Sequence, residues 1–332
     1  MKALTIRRYK APMEIVELPR PEPGPGELLV RVRAAGVNPV DYKIRDGAVK
    51  VLLPFSFPLT LGTDLAGDVQ AIGPGVTKFK PGDAVYSRLD NDRIGAFAEY
   101  ALVRESAAAK KPASLDYAQA ASLPLVGLTA WQALIDLARL QAGQKVLIHA
   151  GSGGVGTFAI QLAKHLGAHV ATTASARNHA LVKSLGADVA IDYKTTHFEE
   201  VARNQDVVLD TQAGDTLLRS FEAVKPGGIV VTIGGRPDGK FARAWGLPLP
   251  LVWILGFLNR QVDRLARAKR VRFEYLFMHA SGEQLEKIGA LVDQGVIKPV
   301  LDKTFPLGAA TEALAYVESG RAVGKVVLRV AD

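Results

Sequence analysis

The sequence predicts an α/β protein in which a doubly wound parallel sheet, with helices on both faces, follows a small β-barrel. The chain has 332 residues, enough for two domains with substantial cores. Its first 120 residues read as short apolar runs separated by Pro- and Gly-rich turns, which is typical of a barrel. From Lys145 onward strand and helix patterns alternate, which is typical of a parallel sheet.

Composition limits the classes of function. Hydrophobic residues make up 48% and charged residues 22% of the chain, as in folded globular proteins. There is no cysteine, which excludes disulfides, thiolate metal ligands and a cysteine nucleophile. The N-terminus lacks an apolar secretory segment, so a cytoplasmic location is expected. A net charge of +8 favours anionic partners such as a phosphorylated cofactor, nucleic acid or an acidic membrane surface.

The N-terminal elements are read from alternation and turns. Glu27–Val37 alternates over part of its length and predicts a strand after the turn cluster "PRPEPGPGE". Leu61–Ser87 carries short strands cut by Gly-Pro and Pro-Gly-Asp turns. Asp116–Leu140 has helical spacing with a break at Pro124, so a helical segment is expected to follow the barrel.

The second half predicts the parallel sheet. Two main helices are expected, at Val155–Leu166 and Arg177–Leu185, with a further strand at Phe273–Met278 and a helix at Ser281–Gln294 after an irregular stretch. The strands are expected at Lys145–Ala150, His169–Ala174, Val189–Tyr193, Asp206–Asp210 and Gly228–Gly234.

A glycine-rich turn predicts a dinucleotide site. The segment Gly151-Ser152-Gly153-Gly154-Val155-Gly156 fits G-x-G-x-x-G, directly follows an apolar strand and opens an amphipathic helix. Glycines permit the tight turn and a close approach of backbone to a pyrophosphate, and the helix N-terminus attracts the anion. The alternative is a purely structural turn.

The second strand of the sheet indicates which nicotinamide cofactor is used. An acid about twenty residues after the glycines normally binds the ribose 2′-hydroxyl of NAD. Between Gly156 and Asp188 there is no Asp or Glu. Ser175 and Arg177 follow this strand, and Tyr193 follows the next one, so the sequence favours NADPH over NADH. Alternatively, Arg177 is a solvated residue at a helix start and the site accepts either cofactor.

Four segments carry a resemblance to a known family. They are "AAGVNPVDYKIRDG", "LGTDLAGDVQAIGPGVTKFKPGDAV", "GSGGVGTFAIQLAKHLGA" and "GRAVGKVVL". In nearly its whole length the chain resembles the medium-chain dehydrogenase/reductase superfamily, most of all the zinc-free quinone oxidoreductase branch. The resemblance implies a GroES-like β-barrel catalytic domain of residues 1–122, completed by 299–332. It also implies a Rossmann cofactor domain of residues 123–298, an active site in the cleft between the two domains, and a homodimer.

The resemblance also bears on metal content. Alcohol dehydrogenases of the superfamily hold a catalytic zinc with Cys and His, and here the matching positions are Asn38 and Gly62-Thr63-Asp64. All six His lie at or beyond His149. We therefore expect no metal site, and hydride transfer from NADPH to a quinone or an α,β-unsaturated carbonyl, as the resemblance implies.

The same resemblance suggests roles for residues of the "NPVDYK" loop. It implies that the loop faces the nicotinamide, with Lys43 contacting the cofactor and influencing the developing oxyanion; alternatively, Lys43 is a surface lysine. Tyr42 supplies a hydroxyl or packs, and Asn38 holds the loop or contacts substrate. Asp64 binds Lys43 or Arg45, or caps a turn.

Further cofactor contacts are implied on the Rossmann side. Thr129 resembles a threonine near the nicotinamide, and helix capping is the alternative. Ile233, Gly234 and Gly235 are expected near the nicotinamide ribose, and Phe277 near the carboxamide. Some relatives place a phosphate-binding lysine one position after Arg177, where this chain has Asn178.

A basic and apolar insertion does not fit the alternating pattern. Residues 236–272 contain nine Lys/Arg and two Asp, a net charge of +7, and include "GLPLPLVWILGFL", which is too short to span a bilayer. The insertion is either a lid or dimer contact, or a peripheral membrane contact through residues 245–272. Nothing indicates a nucleic-acid-binding module. A membrane-surface quinone reductase and a nucleotide-binding protein with little turnover are the alternative functions.

Overall fold

The computed structural model describes residues 1–331, which form two compact units. The first comprises Met1–Leu128 and the segment that begins at His279, and the second comprises Thr129–Met278. These divisions differ from the predicted boundaries at 122/123 and 298/299. Residues 279–298 join the first unit, where Tyr86 Oη donates to Leu285 O at 2.5 Å.

The N-terminal segment supplies eight strands and three helices. The helices are α1 (Pro39–Arg45), α2 (Tyr117–Ala121) and α3 (Pro124–Trp131), followed by a π-helical turn, Gln132–Leu137. The strands are β1 (Lys2–Ile6), β2 (Glu14–Glu17), β3 (Glu27–Val37), β4 (Leu59–Thr60), β5 (Asp64–Ile72), β6 (Ala84–Arg88), β7 (Tyr100–Arg104) and β8 (Ala108–Lys110).

The second unit supplies the alternating elements. Its strands are β9 (Lys145–Ile148), β10 (His169–Ala174), β11 (Val189–Asp192), β12 (Gln205–Asp210), β13 (Val224–Thr232) and β14 (Arg272–Tyr275). Its helices are α4 (Gly154–His165), α5 (His179–Ser184), α6 (Phe198–Val201), α7 (Gly214–Ala223), α8 (Gly239–Ala244), α9 (Leu249–Leu258) and α10 (Arg260–Lys269). The C-terminal segment adds α11 (Gly282–Asp293), β15 (Leu301–Pro306), α12 (Ala310–Glu318) and β16 (Lys325–Arg329).

Two sheets build the first unit. One has the order β15-β16-β3-β5-β6-β8, with β7 also paired to β3, and the other has the order β2-β1-β4. The long strand β3 organises the larger sheet, and its side chains Leu28, Val30 and Val32 are 0% exposed. This strand coincides with the predicted Glu27–Val37. The C-terminal strand β16 pairs antiparallel with the end of β3, so both chain segments share one core.

The second unit has the predicted doubly wound sheet. Its strand order is β11-β10-β9-β12-β13-β14, and every neighbouring pair is parallel. The order reverses direction between β9 and β12, which is where such sheets bind ligands beyond the carboxyl ends of the strands. Each core strand overlaps its predicted segment, but β13 begins at Val224 rather than Gly228, β9 ends at Ile148 rather than Ala150, and β14 ends at Tyr275 rather than Met278.

The stretch 236–272 is helical rather than irregular. Asp238 caps α8 by accepting from Phe241 N at 2.6 Å, and α9 and α10 follow on either side of Asn259. The prolines near the start of α9 are tolerated because the first turn of a helix has no use for their missing N–H groups. Within residues 1–331, no helix has both the length and the apolar character needed to cross a bilayer.

Candidate functional site

The turn between β9 and α4 has the geometry of an anion-binding loop. α4 begins at Gly154 and no side chain caps it, which leaves its first N–H groups available to an anion. A Cβ added at Gly156 would lie 2.3 Å from Ala150 O, and one at Gly151 would lie 2.1 Å from Thr172 Oγ1. Close packing therefore requires both glycines, as the motif predicts.

Gly153 is required for a different reason. Its backbone is extended, with φ −82°, and a Cβ there would meet only Ala150 O, at 3.3 Å, which a small shift relieves. The internal contact is therefore much milder than at Gly151 and Gly156, and a glycine at this position also leaves room for a ligand. Asn178 supports this turn by donating from Nδ2 to Ser152 Oγ at 3.0 Å.

The end of β10 presents two groups that suit a phosphate. Ser175 is half-buried and precedes the 3₁₀ turn Ala176–Asn178. Arg177 is exposed, and no ion pair joins it to any residue in 1–331. Tyr193, directly after β11, is 59% exposed. A hydroxyl and a guanidinium are thus both available where enzymes that use NAD place an acid.

An acid that sequence reasoning missed lies close by. Asp192 ends β11 and pairs in register with Ala174, the last residue of β10. Its carboxylate accepts from Lys194 N at 3.1 Å. Asp192 lies beyond the acid-free stretch between Gly156 and Asp188, and only the parallel register shows that the end of the third strand lies beside the end of the second. Asp192 opposes a 2′-phosphate in part, because like charges repel.

Hydrogen bonds join the carboxyl end of β13 to the carboxyl end of β12. Asp210 is buried, which raises the pKa of its carboxyl, and it accepts from Thr232 Oγ1 at 2.7 Å. Ile233 N donates to Asp210 O at 3.0 Å, Gly234 N donates to Thr232 Oγ1 at 3.2 Å, and Gly235 has φ +75°. Ile233, Gly234 and Gly235 therefore follow a strand at the same sheet edge as the phosphate turn.

Phe277 and Thr129, two other residues predicted to contact the cofactor, have positions that are determined by packing within the protein. Phe277 follows β14, and its ring lies 5.1 Å from Trp245 and 5.8 Å from Phe241, so it anchors the helical segment to the sheet end. Thr129 is 3% exposed and lies inside α3, well after its first residue, Pro124. The helix-cap interpretation of Thr129 is therefore wrong, because a cap precedes the first helical residue.

Asn38 lies in a closed hydrogen-bond cluster of the first unit. Its side chain is 0% exposed, and Nδ2 donates to Asp64 Oδ2 at 2.9 Å and to Thr63 Oγ1 at 3.3 Å. Its Oδ1 accepts from Lys325 Nζ, and its backbone N donates to Asp41 Oδ2 at 2.7 Å. Because these partners are internal, Asn38 holds the loop, and its alternative role as a substrate contact does not fit.

The cluster buries two acids and two bases. Asp41 and Asp64 are 0% exposed, Arg88 is 2% and Lys325 is 5% exposed. Burial raises the pKa of both carboxyls and lowers the pKa of both Lys325 and Arg88, and the opposite charges offset part of that cost. Sequence reasoning missed Lys325, for which the signal was a lysine opening the apolar run Lys-Val-Val-Leu of β16.

Asp64 does not pair as predicted. It accepts from Leu125 N at 3.1 Å, near the start of α3, and so satisfies one of the helix's first N–H groups. Arg45 instead contacts Asp46 at 2.7 Å and Glu318 at 3.1 Å. The prediction that Asp64 binds Lys43 or Arg45 is therefore wrong, and capping is the role it has.

The cluster does not fit a divalent metal ion. Asn38 Oδ1 and Val37 O already accept from the ammonium of Lys325, whose charge also acts on Asp41 and Asp64, and a dication placed there would meet strong repulsion. Among the described residues, no group of three or more His, Asp or Glu is arranged to hold a metal. The donor set of the superfamily's zinc enzymes is thus replaced here by an internal ion cluster.

α1 carries the two predicted side chains of the catalytic loop. Lys43 is exposed, whereas Tyr42 is half-buried and packs against the core of the first unit. Burial raises the pKa of Tyr42, so its hydroxyl stays protonated at neutral pH and can donate a hydrogen bond. Both interpretations of Tyr42 agree with this position, and the cofactor contact of Lys43 stays a prediction.

Two family models match the chain. Residues 24–113 match the alcohol dehydrogenase GroES-like domain, and residues 185–328 match the zinc-binding dehydrogenase model. The first match covers most of the strands of the first unit. The second begins directly after α5 and ends within β16.

Known proteins are similar over almost the full length. The human mitochondrial NAD(P)H oxidoreductase is 37% identical over 333 residues, covering 92% of this chain and 82% of that protein. The quinone oxidoreductase of Coxiella burnetii has a TM-score of 0.87 and 34% identity, covering 100% of this chain and 99% of that one. A mycobacterial structure complexed with NADPH has a TM-score of 0.82 and 28% identity, covering 99% and 100%. With the sheet order and the glycine turn, these similarities show that the chain belongs to the medium-chain dehydrogenase/reductase superfamily, in its quinone oxidoreductase branch, and is an NAD(P)H-dependent oxidoreductase.

Proposed function

We propose that this oxidoreductase prefers NADPH to NADH and reduces a quinone or an α,β-unsaturated carbonyl without a metal ion. The observation that carries the proposal is the pair Ser175 and Arg177 at the end of β10, with the guanidinium exposed and free of ion pairs. A 2′-phosphate at this position gains a charge-assisted hydrogen bond that a 2′-hydroxyl does not. The mycobacterial relative complexed with NADPH supports the same cofactor.

The second unit's residues fit a dinucleotide. The turn Gly151–Gly156 would hold the pyrophosphate through backbone N–H groups at the start of α4, with Ser152 fixed by Asn178. Gly234 and Gly235, which pack against Ala213 after β13, would lie at the same edge of the sheet as the rest of the cofactor. When bound, NADPH supplies a hydride from its nicotinamide ring.

The acceptor class proposed here is one whose reduction needs no metal ion, in keeping with the donor groups of the described residues. Adding a hydride to a conjugated acceptor moves an electron pair onto the carbonyl oxygen, and a proton from solvent or a nearby hydroxyl completes the reduction. Such acceptors are already electrophilic, so hydrogen-bond donors and positive charge suffice to stabilise the oxyanion. The Coxiella burnetii relative is itself named a quinone oxidoreductase, which supports this class. The cytoplasmic location and the homodimer stay predictions.

Changing Ser175→Asp together with Arg177→Ala should weaken NADPH binding by about 10- to 100-fold, the value of one charge-assisted hydrogen bond. NADH binding should change little or improve. Fluorescence titration of both cofactors measures the effect. Lys183→Ala, which removes an exposed cation of α5 in the same unit, is the matched control and should leave both affinities unchanged. Equal weakening of NADPH and NADH would show that these residues do not distinguish the 2′-phosphate.

Measuring turnover distinguishes the proposed reductase from a protein that only binds the nucleotide. NADPH consumption measured with a panel of quinones, enones and aldehydes should be fastest with conjugated acceptors and should not change after treatment with a strong chelator. Loss of activity on chelation, with recovery on added zinc, would contradict a metal-free reaction. Tight NADPH binding without consumption across the whole panel would favour the nucleotide-binding alternative.

A further inference from the structure

The outer side of α9 is an exposed apolar surface. All ten residues of α9, "LPLVWILGFL", are apolar, yet only Val252 is buried. A helix that is apolar all round is normally enclosed by protein or lipid. Among residues 1–331, six of the eleven exposed large hydrophobic side chains lie within positions 245–258: Trp245, Leu249, Trp253, Ile254, Phe257 and Leu258.

These side chains form one continuous face. Leu249, Trp253 and Phe257 are spaced four residues apart and line up along the helix, and Ile254 and Leu258 flank them, so the face covers about half of the circumference. The opposite side packs on α8, where a Cβ added at Gly239 would lie 3.1 Å from Gly256 Cα. The apolar face is therefore held outward by packing on its other side.

α10 adds a stripe of positive charge. Arg260, Arg264 and Arg267 occupy positions i, i+4 and i+7, on the side opposite the buried Val262 and Ala266. All three arginines are exposed, and within the described chain none of them forms an ion pair. Asp263, one turn before Arg267, offsets part of this charge and leaves a net charge of about +2 on this side of α10.

The arginine stripe and the apolar face are contiguous. The guanidinium of Arg260 lies over the ring of Phe257, 4.1 Å from its centroid. Two other cations of the segment are neutralised within the protein: Lys240 pairs with Glu274 at 2.7 Å, and Lys269 pairs with Glu222 at 2.5 Å. The three arginines of the stripe, in contrast, lie next to the apolar face without an ion pair.

We propose that the outer face of α9 and the arginine stripe of α10, here called the α9–α10 surface, bind an anionic phospholipid bilayer. Ten helical residues span about 15 Å, half of what a crossing needs, so α9 would lie in the membrane plane. Tryptophan favours the interface, and arginine binds lipid phosphate bidentately. A bilayer accounts for both features at once, because its acyl chains cover the apolar face and its lipid phosphates pair with the arginines.

Vesicle co-sedimentation tests the proposal with the full chain. Vesicles of phosphatidylcholine with about 30% phosphatidylglycerol should bind the protein, those of phosphatidylcholine alone should bind it much more weakly, and salt should weaken the anionic binding. Trp253→Ser with Phe257→Ser should reduce binding at least 100-fold, on the order of the burial energy of two aromatic side chains. Arg264→Gln with Arg267→Gln should reduce it about 30-fold, at about 1 kcal/mol for each charge.

Matched controls remove charged or apolar side chains from other parts of the protein surface. Arg8→Gln with Lys183→Gln loses the same charge, and Ile15→Ser with Val201→Ser loses exposed apolar groups; both should bind vesicles as the wild type does. Trp131→Phe with Trp245→Phe leaves Trp253 as the sole tryptophan, and brominated lipid chains should quench its fluorescence. No vesicle binding, or equal loss in the controls, would overturn the proposal. So would an oligomer that dissociates in Trp253→Ser with Phe257→Ser without any vesicle binding, which would assign the surface to a second copy.

Discussion

Replacing Lys325 by Met should lower the free energy of unfolding by about 3–5 kcal/mol, the cost of removing one partner from a buried ion cluster. Methionine has a similar length but no charge, so Asp41 and Asp64 would stay buried without their nearest ammonium. Asn38 Oδ1 and Val37 O, the latter 2.8 Å from Lys325 Nζ, would also lose a donor. The loss is a large share of the 5–15 kcal/mol that is typical of folded proteins.

Urea unfolding at neutral pH measures this effect. Lys110→Met removes an exposed lysine from β8 of the same unit and should change stability by less than about 0.5 kcal/mol. Adding Asp64→Asn to Lys325→Met should recover part of the loss, because one buried carboxylate becomes neutral while its oxygen still accepts a hydrogen bond. A loss below about 1 kcal/mol, with no recovery in the double variant, would mean that the ion cluster does not stabilise the fold.

The parallel sheet could be read from the sequence because its strands are buried on both faces. His169–Ala174, for example, is a short, uncharged run with three β-branched residues, bounded by turn signals, and β10 has these same bounds. The helix α9 could not be read in this way. Its apolar residues lack amphipathic spacing, and it is held by packing on α8, a tertiary contact that local pattern does not encode.

In the candidate site, too, local motifs could be predicted from the sequence and contacts between distant segments could not. The glycine turn is a local motif, and its strand and helix are adjacent in sequence, so its geometry was predictable. Lys325 and Asn38 are 287 positions apart, and only the pairing of β16 with β3 brings them together. Asp192 likewise reaches the end of β10 through strand register. The linear pattern shows a lysine at the start of an apolar run, but it does not show which residues strand pairing brings beside that lysine.

Gly156→Ala should weaken NADPH binding by about 100-fold and also destabilise the second unit. The new Cβ would lie 2.3 Å from Ala150 O and 2.6 Å from Gly151 Cα, and no side-chain rotation can relieve a clash with backbone atoms. The turn must therefore open, which removes one or two backbone hydrogen bonds to the pyrophosphate, each contributing about 1.5–3 kcal/mol. Fluorescence titration with NADPH and thermal unfolding measure the two effects.

The sign of the stability change in Gly156→Ala distinguishes a backbone clash from the ordinary effect of alanine in a helix. Gly156 lies within α4, where alanine would otherwise stabilise the helix by about 1 kcal/mol, so destabilisation requires the clash. Gly308→Ala, with no atom within 4 Å of the added Cβ, should leave binding and stability unchanged. Gly153→Ala separates the two causes: it should weaken NADPH binding while leaving unfolding near the wild type, because the internal contact there is mild and the added Cβ would take room from a ligand. Wild-type NADPH affinity in both turn variants would contradict the assignment of the pyrophosphate to this turn.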